Sequence, residues 1–196
     1  MKFTFDEKRD LFYAGLMISL AFAILLSGGL PGLGSSGFLS IFIIAFFTAG
    51  IGFLLHELMH KYVAQGYGFV AEFMANYKML WLAILFSFFG FIIAAPGAVY
   101  IKGRITTSKN GKISVAGPAT NLVLAVLFLI PILLFSPDGI LEIFLGFGLT
   151  INSLLAAFNM IPTMPFDGAK VIAWDKTVYW ITLILGVGLF ALSWFV

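Results

Sequence analysis

The chain contains two histidines, and both fall in one five-residue window, His56-Glu57-Leu58-Met59-His60. On a helix, residues four apart share a face. Both imidazoles can therefore reach one ion, while Glu57, one position on from His56, stands beside a water at that ion, as in the H-E-x-x-H pattern of zinc-dependent peptide hydrolysis. The plainer alternative is a pair of hydrogen-bonded packing histidines. Against it, the window lies inside an apolar stretch, where ionisable groups are rare and usually functional. Catalytic zinc takes three protein ligands and keeps a fourth position open. With no Cys in the chain, the third ligand should be a carboxylate. Outside the motif and the charged amino terminus the candidates are Glu72, Asp138, Glu142, Asp167 and Asp175. Asp167 stands out because it sits in the run Asn159-Met160-Ile161-Pro162-Thr163-Met164-Pro165-Phe166-Asp167-Gly168. Two prolines interrupt an apolar span there, and broken helices at membrane depth are tolerated where they line a polar cavity. Read plainly, the same segment is a turn that ends a helix.

These residues must be held by elements suited to lipid. Of 196 residues, 61% are hydrophobic and 10% charged, with a mean hydropathy of +1.08. A globular protein carries about 25% charged residues, so most of this surface faces hydrocarbon. The net charge of +2 comes from Lys and Arg in short connections, and no basic stripe with interleaved aromatics marks a nucleic-acid partner. A spanning helix needs about 20 mostly apolar residues. Five stretches qualify: Leu11 to Gly28, Phe38 to Gln65, Ala116 to Phe135, Ile140 to Ile161 and Thr177 to Val196. A sixth, Met79 to Ala95, is shorter and stops at Pro96-Gly97. The expected fold is an all-α integral membrane protein of five to six transmembrane helices, with a short re-entrant segment and a small β-hairpin. The hairpin is expected between Ala98 and Val115, turning at Asn110-Gly111, because Asn-Gly is a strong two-residue turn signal. Its edge could hold an unwound substrate as an added strand. Leu11 to Ser27 could also be read as a signal peptide, although it ends in Gly-Gly-Leu-Pro and lacks a small-x-small cleavage site. The aromatic cluster Phe86, Phe88, Phe89 and Phe91 reads as lipid or packing contacts.

Depth supplies a further constraint. His60 and Asp167 both lie near the carboxyl ends of their spans, so two crossings between them return Asp167 to the same side, whereas three place it a membrane thickness away. Met79 to Ala95 should therefore not fully cross. With that arrangement and the amino terminus inside, all eleven basic residues fall on the cytoplasmic side, as the positive-inside tendency favours. A full crossing would export Lys102, Arg104, Lys109 and Lys112. His56 would lie roughly 14 Å inside the helix end at about 1.5 Å per residue.

The residues resemble the site-2 protease family of intramembrane metalloproteases. Its H-E-x-x-H corresponds to His56, Glu57 and His60. Its N-x-x-P-x-x-P-x-D-G element corresponds to Asn159, Pro162, Pro165, Asp167 and Gly168, and its G-P-x-x-N element to Gly117, Pro118 and Asn121. The resemblance covers about residues 38–170. It implies one zinc per chain held by His56, His60 and Asp167, with Glu57 as the catalytic base. It also implies that Asn159 lies near the metal and helps hold the substrate or its oxyanion, and that Asn121, with Gly117 and Pro118, serves substrate binding or the packing of the core. The expected activity is hydrolysis of peptide bonds within or next to transmembrane helices of membrane-protein substrates. A helical substrate hides its peptide bonds, so Gly, Asn or Pro is expected near the cut. The chain is expected to form one domain over residues 1–196, with no room for the PDZ domain of many relatives, in the cell membrane as a multi-pass protein. Two other classes compete. A metal or proton transporter needs successive sites, and the chain offers no third histidine and few intramembrane carboxylates. A silent zinc-binding scaffold has no need of a base at Glu57.

Overall fold

The computed structural model describes residues 1–92 and 96–196. Helix α1, Phe5–Leu26, begins where the Thr4 hydroxyl accepts from the Glu7 amide, and Asp6 and Glu7 in its first turn suit the positive end of the helix dipole. A single helical turn, α2, Leu30–Leu33, follows. Helix α3, Phe38–Ala45, passes through a π-helical turn, Phe46–Gly50, into α4, Ile51–Gly66. Strand β1 is Val70–Ala75. Helix α5, Tyr77–Ser87, is capped by Asn76 accepting from Met79 N, and strand β2 is Gly97–Lys102. Helices α6, Thr107–Phe135, and α7, Gly139–Asn159, are long. The shorter α8, Asp167–Trp174, leads to α9, Lys176–Leu192, whose first amides are accepted by Asp175.

Four helical rods among the described residues are long and apolar enough to cross a bilayer: α1, the continuous Phe38–Gly66 rod of α3 and α4, α6 and α7. The protein is of the all-α integral membrane class. The expected fifth span becomes α9, which has 17 residues, at the short end of the about 17–25 that cross a bilayer. Helix α5 has 11 residues, about 16 Å at about 1.5 Å per residue, against a hydrocarbon core of about 30 Å. Its length agrees with a Met79 to Ala95 stretch that does not cross; residues 93–95 of that stretch lie outside the described residues.

The hairpin lies elsewhere than expected. The two-stranded antiparallel sheet pairs β1 with β2, and the chain between them runs through α5. Ala98 to Lys102 is a strand, but Asn110-Gly111 lies in the first turns of α6. Thr106 explains the difference: its hydroxyl accepts from Lys109 N and caps a helix that the residues beyond continue. Gly111 serves packing here, since a Cβ would collide with the Trp174 side chain of α8. The edge expected of Ala98 to Val115 is thus reduced to β2.

The chain divides into two compact units, residues 1–54 with 72–100 and residues 55–71 with 101–196. In the first, α1 packs on α3, on the π turn and on α5. Ala14, Ile18, Phe53, Phe73 and Leu80 form one core cluster, and Ala21, Ile24, Ala83 and Ile84 another. The carboxylates of α1 also hold β1: Glu7 Oε1 accepts from Phe73 N at 2.9 Å, and Asp10 Oδ2 from Ala75 N at 2.9 Å. These bonds are charge-assisted and so stronger than neutral ones. In the second unit α6 packs on α7 and α8, and α7 on α9. Small residues permit the approach, as membrane helices require: a Cβ on Gly186 of α9 would meet the Ala157 backbone of α7 at 3.0 Å. Ala125, Leu129 and Leu149 are buried together there, as are Met160, Val171 and Tyr179.

Candidate metal centre

Every residue of the centre described here belongs to the second unit. The α-helical spacing in α4 brings the His56 and His60 rings to 4.7 Å between centroids, at 86° to each other. The chain then leaves α7 after Asn159, turns through 160–166 with a cis Met164-Pro165 bond, and starts α8 at Asp167. Gly168 allows that start: a Cβ there would strike the carbonyls of Met160 and Ile161. The turn delivers Asp167 Oδ2 to 3.4 Å from His56 Nε2 and 3.0 Å from His60 Nε2. All three side chains are buried, as is Glu57.

Each imidazole is oriented from behind. His60 Nδ1 lies 2.8 Å from the Ile113 carbonyl, and His56 Nδ1 lies 2.6 Å from Asn121 Oδ1. A carbonyl only accepts, so Nδ1 of His60 carries a proton toward Ile113 O, and Nε2 is the nitrogen that faces Asp167. Such outer contacts fix tautomer and ring orientation in metal sites. Gly117 leaves the space in front open, since a Cβ there would stand 2.5 Å from both Nε2 atoms.

The donor set fits zinc. Tetrahedral coordination with bonds of about 2.0–2.1 Å gives ligand-to-ligand edges of about 3.3 Å, and the two His–Asp distances are 3.4 and 3.0 Å. Among the described residues, the ligand atoms of His56, Glu57 and His60 also lie within 4.8 Å of one another. Two carboxylates thus approach one pair of imidazoles. Asp167 Oδ2 stands at a ligand-to-ligand distance from both Nε2 atoms. Burial by itself would raise the Asp167 carboxyl, but the facing His60 and His56 hold it well below the usual carboxylate range, in the ionised form that a metal takes. Lys170, one turn along α8, bonds its other oxygen, Oδ1, at 3.3 Å.

Pro118, like Gly117, is buried within α6 at this centre. Asn121 faces His56 directly, a closer engagement than general core packing. Asn159 Nδ2 donates to Leu155 O of its own helix at 2.9 Å. Glu72 hydrogen-bonds Thr4, Asp175 caps α9, and Asp138 and Glu142 lie at the start of α7. Two participants were not singled out in the sequence. Lys170 carries the i,i+3 spacing to Asp167 that brings helical side chains together. Asn152, a carboxamide in the middle of an apolar span, bonds Asn121, and polar groups at membrane depth are the signal that marks it.

The fold and the centre define a membrane-embedded metalloprotein of the H-E-x-x-H type. The chain is 44% identical over 158 residues to the "Putative zinc metalloprotease MJ0611" of Methanocaldococcus jannaschii, a match covering 79% of this chain and 83% of that protein. It is 30% identical over 145 residues to the "Zinc metalloprotease MJ0392" of the same organism, covering 74% of this chain and 37% of that protein. No family model and no solved structure matches. The chain belongs to the zinc metalloprotease family of these relatives, and one zinc is its cofactor.

Proposed function

We propose that the chain is an intramembrane metalloprotease of the site-2 type, cutting membrane-protein substrates within or beside their transmembrane helices. The observation that carries this reading is the approach of Asp167 Oδ2, from a broken segment more than a hundred residues along the chain, to 3.4 and 3.0 Å from the Nε2 atoms of His56 and His60. These three residues hold the zinc, buried within a protein whose long helices suit hydrocarbon. When bound, zinc supplies Lewis acidity toward a water and toward the scissile carbonyl. Glu57 accepts the proton of the attacking water and returns it to the leaving amine, the usual work of a positioned general base. Asn159 stabilises the developing oxyanion through its amide, whose NH2 keeps a second N–H beyond the one given to Leu155 O. Lys170 holds the Asp167 carboxylate through Oδ1, which leaves Oδ2 toward the imidazoles. The whole chain acts as one catalytic unit in the cell membrane with its amino terminus in the cytoplasm, on the side where the basic residues gather.

Replacement Glu57→Gln separates this reading from its rivals. A protease loses cleavage of a reconstituted single-span substrate and keeps stoichiometric zinc. A silent scaffold loses nothing, and a transporter moves zinc into proteoliposomes. Cleavage surviving in Glu57→Gln would remove the assignment of the base.

A further inference from the structure

Lys102, Arg104, Lys109 and Lys112 lie within one short stretch, and the sequence holds no Asp or Glu between Glu72 and Asp138. Lys102, Arg104 and Lys112 are exposed, and Lys109 is half-buried. Among the described residues none of the four makes an ion pair, whereas Lys170 has Asp167. Two of them are held by aromatic rings of the same unit instead. Lys109 Nζ stands 5.4 Å from the centre of the Tyr67 ring and 5.2 Å from that of Phe69, and Lys112 Nζ stands 5.9 Å from that of Trp174. Such contacts place an ammonium without neutralising it. Helix stability does not account for these charges, because Lys109 falls in the first turn of α6, where the dipole disfavours a cation. We propose that Lys102, Arg104, Lys109 and Lys112 form a binding surface for the anionic headgroups of phospholipids in the leaflet where α6 begins.

Depth selects this partner. Helix α6 has 29 residues, about 44 Å at about 1.5 Å per residue, against about 30 Å of hydrocarbon. Its uncharged run 116–135 fills that thickness by itself, so residues 107–115 project beyond it. On an upright helix Lys112 then stands about 6 Å past the boundary and Lys109 about 10 Å past it. The polar layer occupies about 5–7 Å on each side, so Lys112 lies among the headgroups and the flexible stem of Lys109 reaches back to them. Arg104 and Lys102 precede the cap of α6 at Thr106 on the same side. The acids of this unit do not balance the surface. Asp138 and Glu142 lie at the start of α7, beyond the far end of α6, and Asp175 is engaged with the first amides of α9. A free anion or an acidic protein segment offers the same charge, but only the bilayer holds phosphates at this depth at all times, and clustered cations beside a spanning helix favour anionic lipid. The inference does not depend on the reading of the metal centre.

The test uses the full chain reconstituted into phosphatidylcholine vesicles, with a trace of spin-labelled phosphatidylglycerol or of spin-labelled phosphatidylcholine of the same acyl chains. The fraction of label immobilised on the protein gives the preference between the two headgroups. At low ionic strength the wild type should prefer phosphatidylglycerol. Each cation near an anionic surface is worth about fivefold, so Lys102→Gln with Arg104→Gln should lower the preference about 5-fold or more. Adding Lys109→Gln and Lys112→Gln should abolish it. The same change to Gln at Lys2, Lys8, Lys78 and Lys176 removes equal net charge elsewhere and should leave the preference in place. Raising the salt from about 0.01 M to 0.15 M, which shortens the screening length from about 30 Å to 8 Å, should weaken it in the wild type. Absence of preference in the wild type overturns the proposal, and so does its survival in the fourfold variant or an equal loss in the control set. Inorganic phosphate at matched ionic strength should not displace the labelled lipid; displacement by it would mean a site for free anions. Displacement by a soluble Glu-rich peptide would assign the surface to a protein partner, and either result overturns the lipid assignment. If the fourfold variant does not fold, the exposed pair Lys102 and Arg104 decides by the same criterion.

Discussion

Substitution Gly117→Ala should damage zinc binding more than folding. The added carbon would stand 2.5 Å from Nε2 of His56, 2.5 Å from Nε2 of His60 and 2.6 Å from Cε1 of His60. Ordinary carbon contacts begin at about 3.5 Å, so helix or rings must give by about 1 Å. Without metal the rings can turn aside. With metal both Nε2 atoms must return to one point, and zinc–nitrogen bonds of about 2.0–2.1 Å leave little tolerance. The strain therefore falls on the bound state. Overpacking costs about 1–3 kcal/mol, which at about 1.4 kcal/mol per tenfold weakens zinc roughly 5- to 150-fold. The assay is chelator competition on purified wild type and variant, with thermal unfolding of the metal-free forms alongside. Wild-type zinc affinity in a folded Gly117→Ala protein would refute the reasoning, because it would mean that the ion does not occupy the space in front of the two imidazoles.

Asn159→Ala should lower kcat by about 10²–10³, the usual cost of one oxyanion donor, with zinc content unchanged; an equal loss of zinc would place Asn159 in the support of the metal instead. Lys170→Met should leave Asp167 Oδ1 without its ion pair and weaken zinc about 10-fold or more, as loss of an outer contact does, which the same chelator competition measures. Removing zinc should abolish cleavage and lower the thermal midpoint, since an ion present at about 1,000 times its Kd stabilises the folded state by about 4 kcal/mol; restoring zinc should recover both. Gly111→Val should destabilise the contact of α6 with α8 by about 1–3 kcal/mol, because Trp174 fills the space a side chain would need, and chemical unfolding reads that loss.

Much of the centre was legible because the chemistry uses scarce residue types. With two histidines in the chain, four positions apart, only one helical face could hold them. Asp167 was legible as a carboxylate beside two prolines in an apolar context, and the depth argument required its return to the face of His60. The spans read well for the same reason: hydrocarbon admits long apolar helices and little else. The sequence argument failed at Asn110-Gly111. A turn dipeptide is a local preference, and the cap at Thr106 together with the ring of Trp174 outweighed it. Local preference could not reveal that Gly111 is small for the sake of a residue 63 positions later.

The sequence alone determined the class of chemistry, the candidate metal donors and the lipid setting, since residue type and helical period carry that information without reference to partners in space. Only the tertiary structure decided what stands behind each imidazole, because Ile113 O, Asn121 and Asn152 arrive from other helices. It also decided that Asn159 rests against its own helix and that Lys170 holds one oxygen of Asp167. Hydrogen bonds have direction and a reach of about 3 Å, and no pattern along one chain records where a distant carbonyl will come to lie.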